Sequence, residues 1–188
     1  MNQILSKLIA MKYNLIIFII CLLNIIPASA QEQREDQEEK LEKRHSLAFV
    51  FGYTHIPAAT KDGKEEDAVF VPTIGLDYFY LLNEKWSVGG AFDMELSKYE
   101  VAFEEDEITR EIAIILGVLV GYEVLPHWGI LAGPGVEFEK NKNLFVFRIS
   151  TEYTFELGND WGLYPSLTYD FKKEYSSYAL GVGLKKRF

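Results

Sequence analysis

Residues 161–172 read Trp161-Gly-Leu-Tyr-Pro-Ser-Leu-Thr-Tyr-Asp-Phe-Lys172. Trp161, Leu163, Pro165, Leu167, Tyr169 and Phe171 fall on one parity, and Gly162, Tyr164, Ser166, Thr168, Asp170 and Lys172 on the other. A period of two places alternate side chains on opposite faces of a strand. The stretch exceeds the roughly 9–11 residues that a tilted strand needs to cross a bilayer. One greasy face and one polar face at that length predict a strand with hydrocarbon on one side.

The pattern repeats on both sides of this stretch. Eight alternating segments can be placed: Ser46–His55, Val69–Leu81, Trp86–Lys98, Glu111–Val124, Trp128–Glu139, Phe145–Phe155, Trp161–Lys172 and Tyr175–Phe188. Each of the 3 tryptophans follows a short polar turn: Asn83-Glu84-Lys85 before Trp86, Pro126-His127 before Trp128, Asn159-Asp160 before Trp161. An indole has an apolar body and a polar N–H, so it suits a boundary between water and hydrocarbon. With Tyr80, Tyr122, Phe155 and Phe188 these residues predict an aromatic girdle at the rim of the short turns. Tyr53, Phe70, Phe138, Phe145, Phe171 and Tyr178 are candidates for the opposite rim.

Parity alone does not say which face is outside. A soluble, lipocalin-like carrier would turn the apolar set inward around a ligand. Gly75, Gly89, Gly117, Gly121, Gly133, Gly135, Gly181 and Gly183 share the face that carries the charges. A narrow lumen needs such small residues, whereas a water-facing exterior does not. In lipid an unpaired backbone group costs several kcal/mol, so the sheet must close and strand eight must pair with strand one. The expected fold is all-β, an eight-stranded antiparallel up-and-down transmembrane barrel over residues 46–188.

Residues 1–30 have the layout of a secretory signal: Lys7 and Lys12, an apolar run from Leu15 to Ile26, then Ala28-Ser29-Ala30 before Gln31. The apolar run falls short of the roughly 20 residues of a spanning helix. Met11 also opens a complete signal by itself. Cys21 is the one cysteine and lies in the apolar run. The exported chain therefore offers no disulfide and no thiolate metal site. Taking Lys7 and Lys12 from the 19 Lys and Arg leaves 17 against 28 Asp and Glu, a formal charge of −11 in place of −9. That balance argues against nucleic acid as a partner. Residues 31–45 are charged and nearly devoid of apolar side chains, which predicts a solvated periplasmic tether.

The C-terminal stretch Tyr178-Ala-Leu-Gly-Val-Gly-Leu-Lys-Lys-Arg-Phe188 alternates up to a final aromatic. It resembles the C-terminal insertion signal of Gram-negative outer-membrane proteins, with Lys186 departing from the usual apolar residue two before the end. Residues 46–188 as a whole resemble the small eight-stranded barrels of the OmpA transmembrane-domain and OmpX type. The resemblance implies the outer membrane as location, periplasmic termini, insertion by the barrel assembly machinery, and outer-membrane lipid and lipopolysaccharide as surroundings. A monomer without cofactor is expected. The fold hosts several activities and so specifies none.

Eight strands leave a lumen that side chains can fill, so inward charges are expected to pair. A tight turn at 140–143 would set Arg148 diagonal to Glu137, and the turn near Asn159 would set Asp170 diagonal to Arg148. A Glu137–Arg148–Asp170 bridge is therefore expected. Glu95 and Glu111 should nearly face each other, with Asp93 close by, and two acids without a third oxygen-rich loop make a poor calcium site. The segments 57–68 and 100–107 should be short acidic outer loops. A lipid hydrolase at the outer leaflet would need a nucleophile and a base facing lipid. His55 and Ser176 fall near the upper ends of neighbouring strands, yet no third group and no His-x-Ser pair of the lipid A deacylase type accompanies them. The expected role is non-catalytic, structural or interactive, with a hydrolase or a narrow solute channel as alternatives.

Overall fold

The computed structural model describes residues 43–61, 64–103, 106–140 and 142–188. The expected export signal, and the charged segment as far as residue 42, lie outside the described residues. The strands are β1 His45–Lys61, β2 Lys64–Leu81, β3 Trp86–Glu95, β4 Tyr99–Phe103, β5 Asp106–Arg110 and β6 Ile114–Leu125. They continue with β7 Trp128–Phe138, β8 Leu144–Tyr153, β9 Phe155–Gly158, β10 Trp161–Lys172 and β11 Ser177–Arg187.

All eight expected segments are strands of one closed antiparallel sheet. The order around the wall is β1, β2, β3, β6, β7, β8, β10, β11, and β11 returns to β1 through pairs from Ser46↔Arg187 to His55↔Tyr178. β8 and β9 form one wall strand interrupted at Thr154, both paired with β10. Closure leaves the wall without an open edge, as a hydrocarbon environment requires.

Burial follows the parity. Along β8, Leu144, Val146, Arg148 and Ser150 are buried, while Phe145, Phe147 and Ile149 are exposed. Outside, Phe51, Val118 and Phe145 are each 65% exposed; inside, Arg148 is 6% and Asp170 4% exposed. A chain in water hides its aromatics and exposes its charges, and this barrel does the reverse.

The outer end departs from expectation in two places. The stretch 57–68 is no loop, because β1 and β2 continue pairing through Pro57↔Ala68, Ala59↔Glu66 and Lys61↔Lys64. The stretch 100–107 is a second hairpin, β4 with β5. Acidic residues dominate both stretches, and the alternation of Tyr99, Val101 and Phe103 in β4 is too short to stand out as a wall strand. The third segment stops at Glu95, short of Lys98, and the fourth starts at Ile114, after Glu111. The chain turns away there to carry β4 to the free edge of β1, where Ala59 pairs with Val101 and Thr60 with Glu100. Tyr99 and Val101 close the mouth with Ile56, Val69, Val71, Leu144 and Tyr175 in one buried apolar cluster.

Candidate functional site in the barrel lumen

The inward side chains form three tiers. At the short-turn rim, Lys185 of β11 meets Glu152 of β8 at 2.6 Å and covers the ring of Tyr164 at 4.4 Å. Tyr164 of β10 lies opposite Gly183 of β11, where a Cβ would sit 2.1 Å from the Tyr164 Cζ. The missing side chain at 183 is thus the space the phenol ring fills. Its hydroxyl donates to Asp77 of β2 at 3.1 Å.

In the middle tier Arg148 of β8 is the hub. Its Nε and Nη2 donate to the two oxygens of Asp170 at 2.7 and 2.8 Å, and Nη1 donates to Asp93 of β3. The guanidinium fork matches a carboxylate in two parallel bonds. Arg148 and Asp170 are direct register partners, not the diagonal pair expected.

The expected Glu137–Arg148 contact is corrected. Glu137 faces Leu144, and Arg148 faces Gly133, four residues along β7. The β7–β8 connection is wider than the tight turn that the diagonal placement required. Glu137 belongs to the third tier, under the mouth, where it meets Lys172 at 2.5 Å and lies 3.1 Å from the Arg110 Nε. The Tyr175 hydroxyl donates to it at 2.9 Å. The Tyr99 hydroxyl reaches Glu95 at 2.5 Å and lies 3.1 Å from that of Tyr175. Hydroxyls and cations thereby connect two fully buried carboxylates.

Glu111 does not face Glu95. It is exposed, and the backbone beside it bends at Ile112, whose φ is 97°. The expected juxtaposition fails because the strand carrying Glu111 was assumed to run straight. Asp93 is held by Arg148. Among the described residues no group of three His, Cys, Asp or Glu side chains is placed to hold a metal ion. Arg110, Tyr99 and Tyr175 were not anticipated as lumen groups. The available signal for Arg110 was a single arginine ending an acidic run.

Three small cavities lie along the lumen. One of about 100 Å³ lies at the short-turn rim, lined by Asp77, Glu152, Tyr164 and Lys185. Two of about 40 Å³ follow, and Arg148 lines both. Each has room for water, which needs roughly 10–15 Å³.

His55 stacks on Tyr178, with ring centroids 4.3 Å apart, and meets Phe70 edge-on. Its Nδ1 is buried without a hydrogen-bond partner, and no hydrogen bond joins it to Ser176 among the described residues. At the short-turn rim Trp86, Trp128, Trp161, Phe155 and Phe188 are exposed, while Tyr80 and Tyr122 are half-buried. Trp86 packs on Tyr122, and the Trp128 indole N–H donates to Thr151 at 2.7 Å. His45 and Phe188 exchange backbone hydrogen bonds at 3.0 and 2.9 Å, which joins the two ends of the described chain. The Asp160 carboxylate is held below its usual range by the hydrogen bond from Lys43, assisted by the charges of Lys43 and Lys186.

This closed, inside-out wall of eight strands also superposes on solved structures. Neisserial surface protein A matches with a TM-score of 0.50 at 9% identity, over 77% of this chain and 97% of that one. The chain has the fold of the small eight-stranded outer-membrane barrels. The N-terminal β-barrel domain of Pseudomonas aeruginosa OprF matches with a TM-score of 0.50 at 10% identity, over 76% and 97%. The attachment invasion locus protein Ail of Yersinia pestis, solved with the heparin analogue sucrose octasulfate, gives 0.48 at 16% identity, over 77% and 99%. No family model and no curated relative matches the sequence.

Proposed function

We propose that this chain is a non-catalytic integral protein of the outer membrane, with a structural or interaction role and a lumen filled by its own side chains. The observation that carries this reading is the inversion of the barrel: apolar side chains cover the wall and paired charges fill the interior. Hydrocarbon stabilises such a surface, and water does not. The tryptophan rim supports an interfacial girdle of Trp86, Trp128, Trp161, Tyr80, Tyr122, Phe155 and Phe188 on the periplasmic side. Both termini then face the periplasm, and lipid and lipopolysaccharide surround the barrel. An N-terminal export signal and the assembly machinery deliver it there as a monomer. The Arg148 tier and the capped mouth support a filled lumen in preference to a conducting one.

Membrane fractionation tests the location: the chain is expected with the outer-membrane fraction and to resist extraction by alkaline carbonate. Recovery with soluble periplasmic proteins would contradict it. Two measurements address activity. Lipid A profiles by mass spectrometry should be the same with and without the chain, and reconstituted protein should add no conductance to a planar bilayer. A new lipid A species, or a defined conductance step, would replace the proposal with the hydrolase or the channel.

A further inference from the structure

We infer that the outer mouth of the barrel contains a binding site for a guanidinium-type organic cation, such as an arginine side chain of a cationic peptide, and that Arg110 of the same chain occupies it. Arg110 comes from the return strand of the β4–β5 hairpin, not from the barrel wall, and is fully buried. The wall supplies the receptor. Glu137 of β7 lies 3.1 Å from its Nε, Glu139 3.5 Å from Nη1, and the Lys142 carbonyl accepts from Nη1 at 2.5 Å. Two carboxylates and a carbonyl around a planar cation are what guanidinium recognition requires.

The occupant is imperfectly held. Nη2 of Arg110 is buried without a hydrogen-bond partner among the described residues, and Nε meets Glu137 as an ion pair without hydrogen-bond geometry. Buried donors without acceptors are costly. Among the described residues the hairpin pairs with β1 at Ala59↔Val101 and Thr60↔Glu100. Two residues after Arg110, Ile112 holds a φ of 97°, a region that β-branched residues rarely enter. A hairpin with a strained exit and an under-bonded arginine can exchange its tenant for a better one. Once Arg110 leaves, Glu137 and Glu139 lose its positive charge, so the vacated site favours a cation.

The affinity of such a ligand is lowered by the fraction of time Arg110 is in place. Binding of a fluorescent tri-arginine amide to the full exported chain in detergent, followed by anisotropy, tests this. Arg110→Gln should tighten binding by about tenfold or more. That variant keeps Glu137 paired with Lys172 and Tyr175, so the wall around the site retains its contacts. A second variant locks the occupant in: Ala59→Cys with Val101→Cys joins direct antiparallel partners, whose Cα spacing of about 4.5–5.5 Å suits a disulfide. The locked form should lose binding, and reduction should restore it. A tri-lysine amide should bind at least several-fold more weakly, because an ammonium lacks the fork. The inference is overturned by unchanged affinity in Arg110→Gln, by full binding to the oxidised lock, or by equal binding of tri-lysine. Insertion into membranes is read separately by fractionation, so failure here leaves the barrel assignment standing.

Discussion

Arg148 and Asp170 face each other across β8 and β10 and meet through two parallel hydrogen bonds, while the third guanidinium nitrogen holds Asp93 on the opposite wall. One side chain thus ties three strands together inside the barrel. Removing it by Arg148→Ala leaves the buried Asp170 and the half-buried Asp93 without their cation. We predict a loss of about 3–5 kcal/mol, the usual cost of breaking a buried pair from one side. Arg148→Lys keeps the charge but not the fork and should fall between. Urea unfolding in lipid vesicles, followed by tryptophan fluorescence, measures both. Wild-type stability in Arg148→Ala would show that the tier is only filler.

Tyr164 and Gly183 form a second linked pair, in which a phenol ring fills the space of an absent side chain. Gly183→Val should destabilise the barrel by about 1–3 kcal/mol through overpacking. Tyr164→Ala also costs stability, because it empties the space and removes the donor to Asp77. The double variant should be less damaging than the sum of the two, by about 0.5–3 kcal/mol of coupling. Strict additivity in a double-mutant cycle would mean the two sites do not share that space.

These tiers were unequally legible in the sequence. Period-two alternation located every wall strand because a hydrocarbon exterior imposes it on each one, from Phe49 and Phe51 of β1 to Val182 and Leu184 of β11. Arg148 and Asp170 were legible as a pair because both are inward charges on strands joined by a short turn. Glu137 was misassigned because the length of a connection, not the pattern within strands, sets register, and the β7–β8 connection is wide. Arg110 was hard to read for a different reason. It ends an acidic stretch whose alternation, Tyr99, Val101 and Phe103, is too brief to mark a wall strand, so the one signal there was a single arginine after a run of acids.

Val118 lies within β6 on the outer face, between Gly117 and Leu119 of the inward set. If hydrocarbon covers it, Val118→Arg should cost about 2–4 kcal/mol, the range for a basic side chain near the bilayer midplane. Leu125→Arg, at the short-turn end of the same strand, should cost about 0–1 kcal/mol. Equal, small effects at both positions in vesicle unfolding assays would indicate that water reaches the outer face.

Asp160 links the short-turn rim to Lys43, at 2.7 Å. Its folded pKa lies below the ordinary 3.8. A carboxyl lowered on folding contributes its stabilisation fully above the unfolded pKa and loses it as pH falls through the folded value. The contact should therefore be intact at neutral pH and release only below about pH 3.8. In micelle NMR, the Lys43 side-chain resonances should shift with an inflection under that value in the wild type and show no inflection in Asp160→Asn. An inflection at or above 3.8 in the wild type would contradict the contact.

Folding of the exported chain from urea, with and without lipid vesicles, tests the inverted barrel most directly. Heat-modifiable gel mobility and β-sheet circular dichroism are expected only when vesicles or detergent are present, with aggregation in plain buffer. A monomer that folds and stays soluble in buffer alone would contradict a wall made for hydrocarbon.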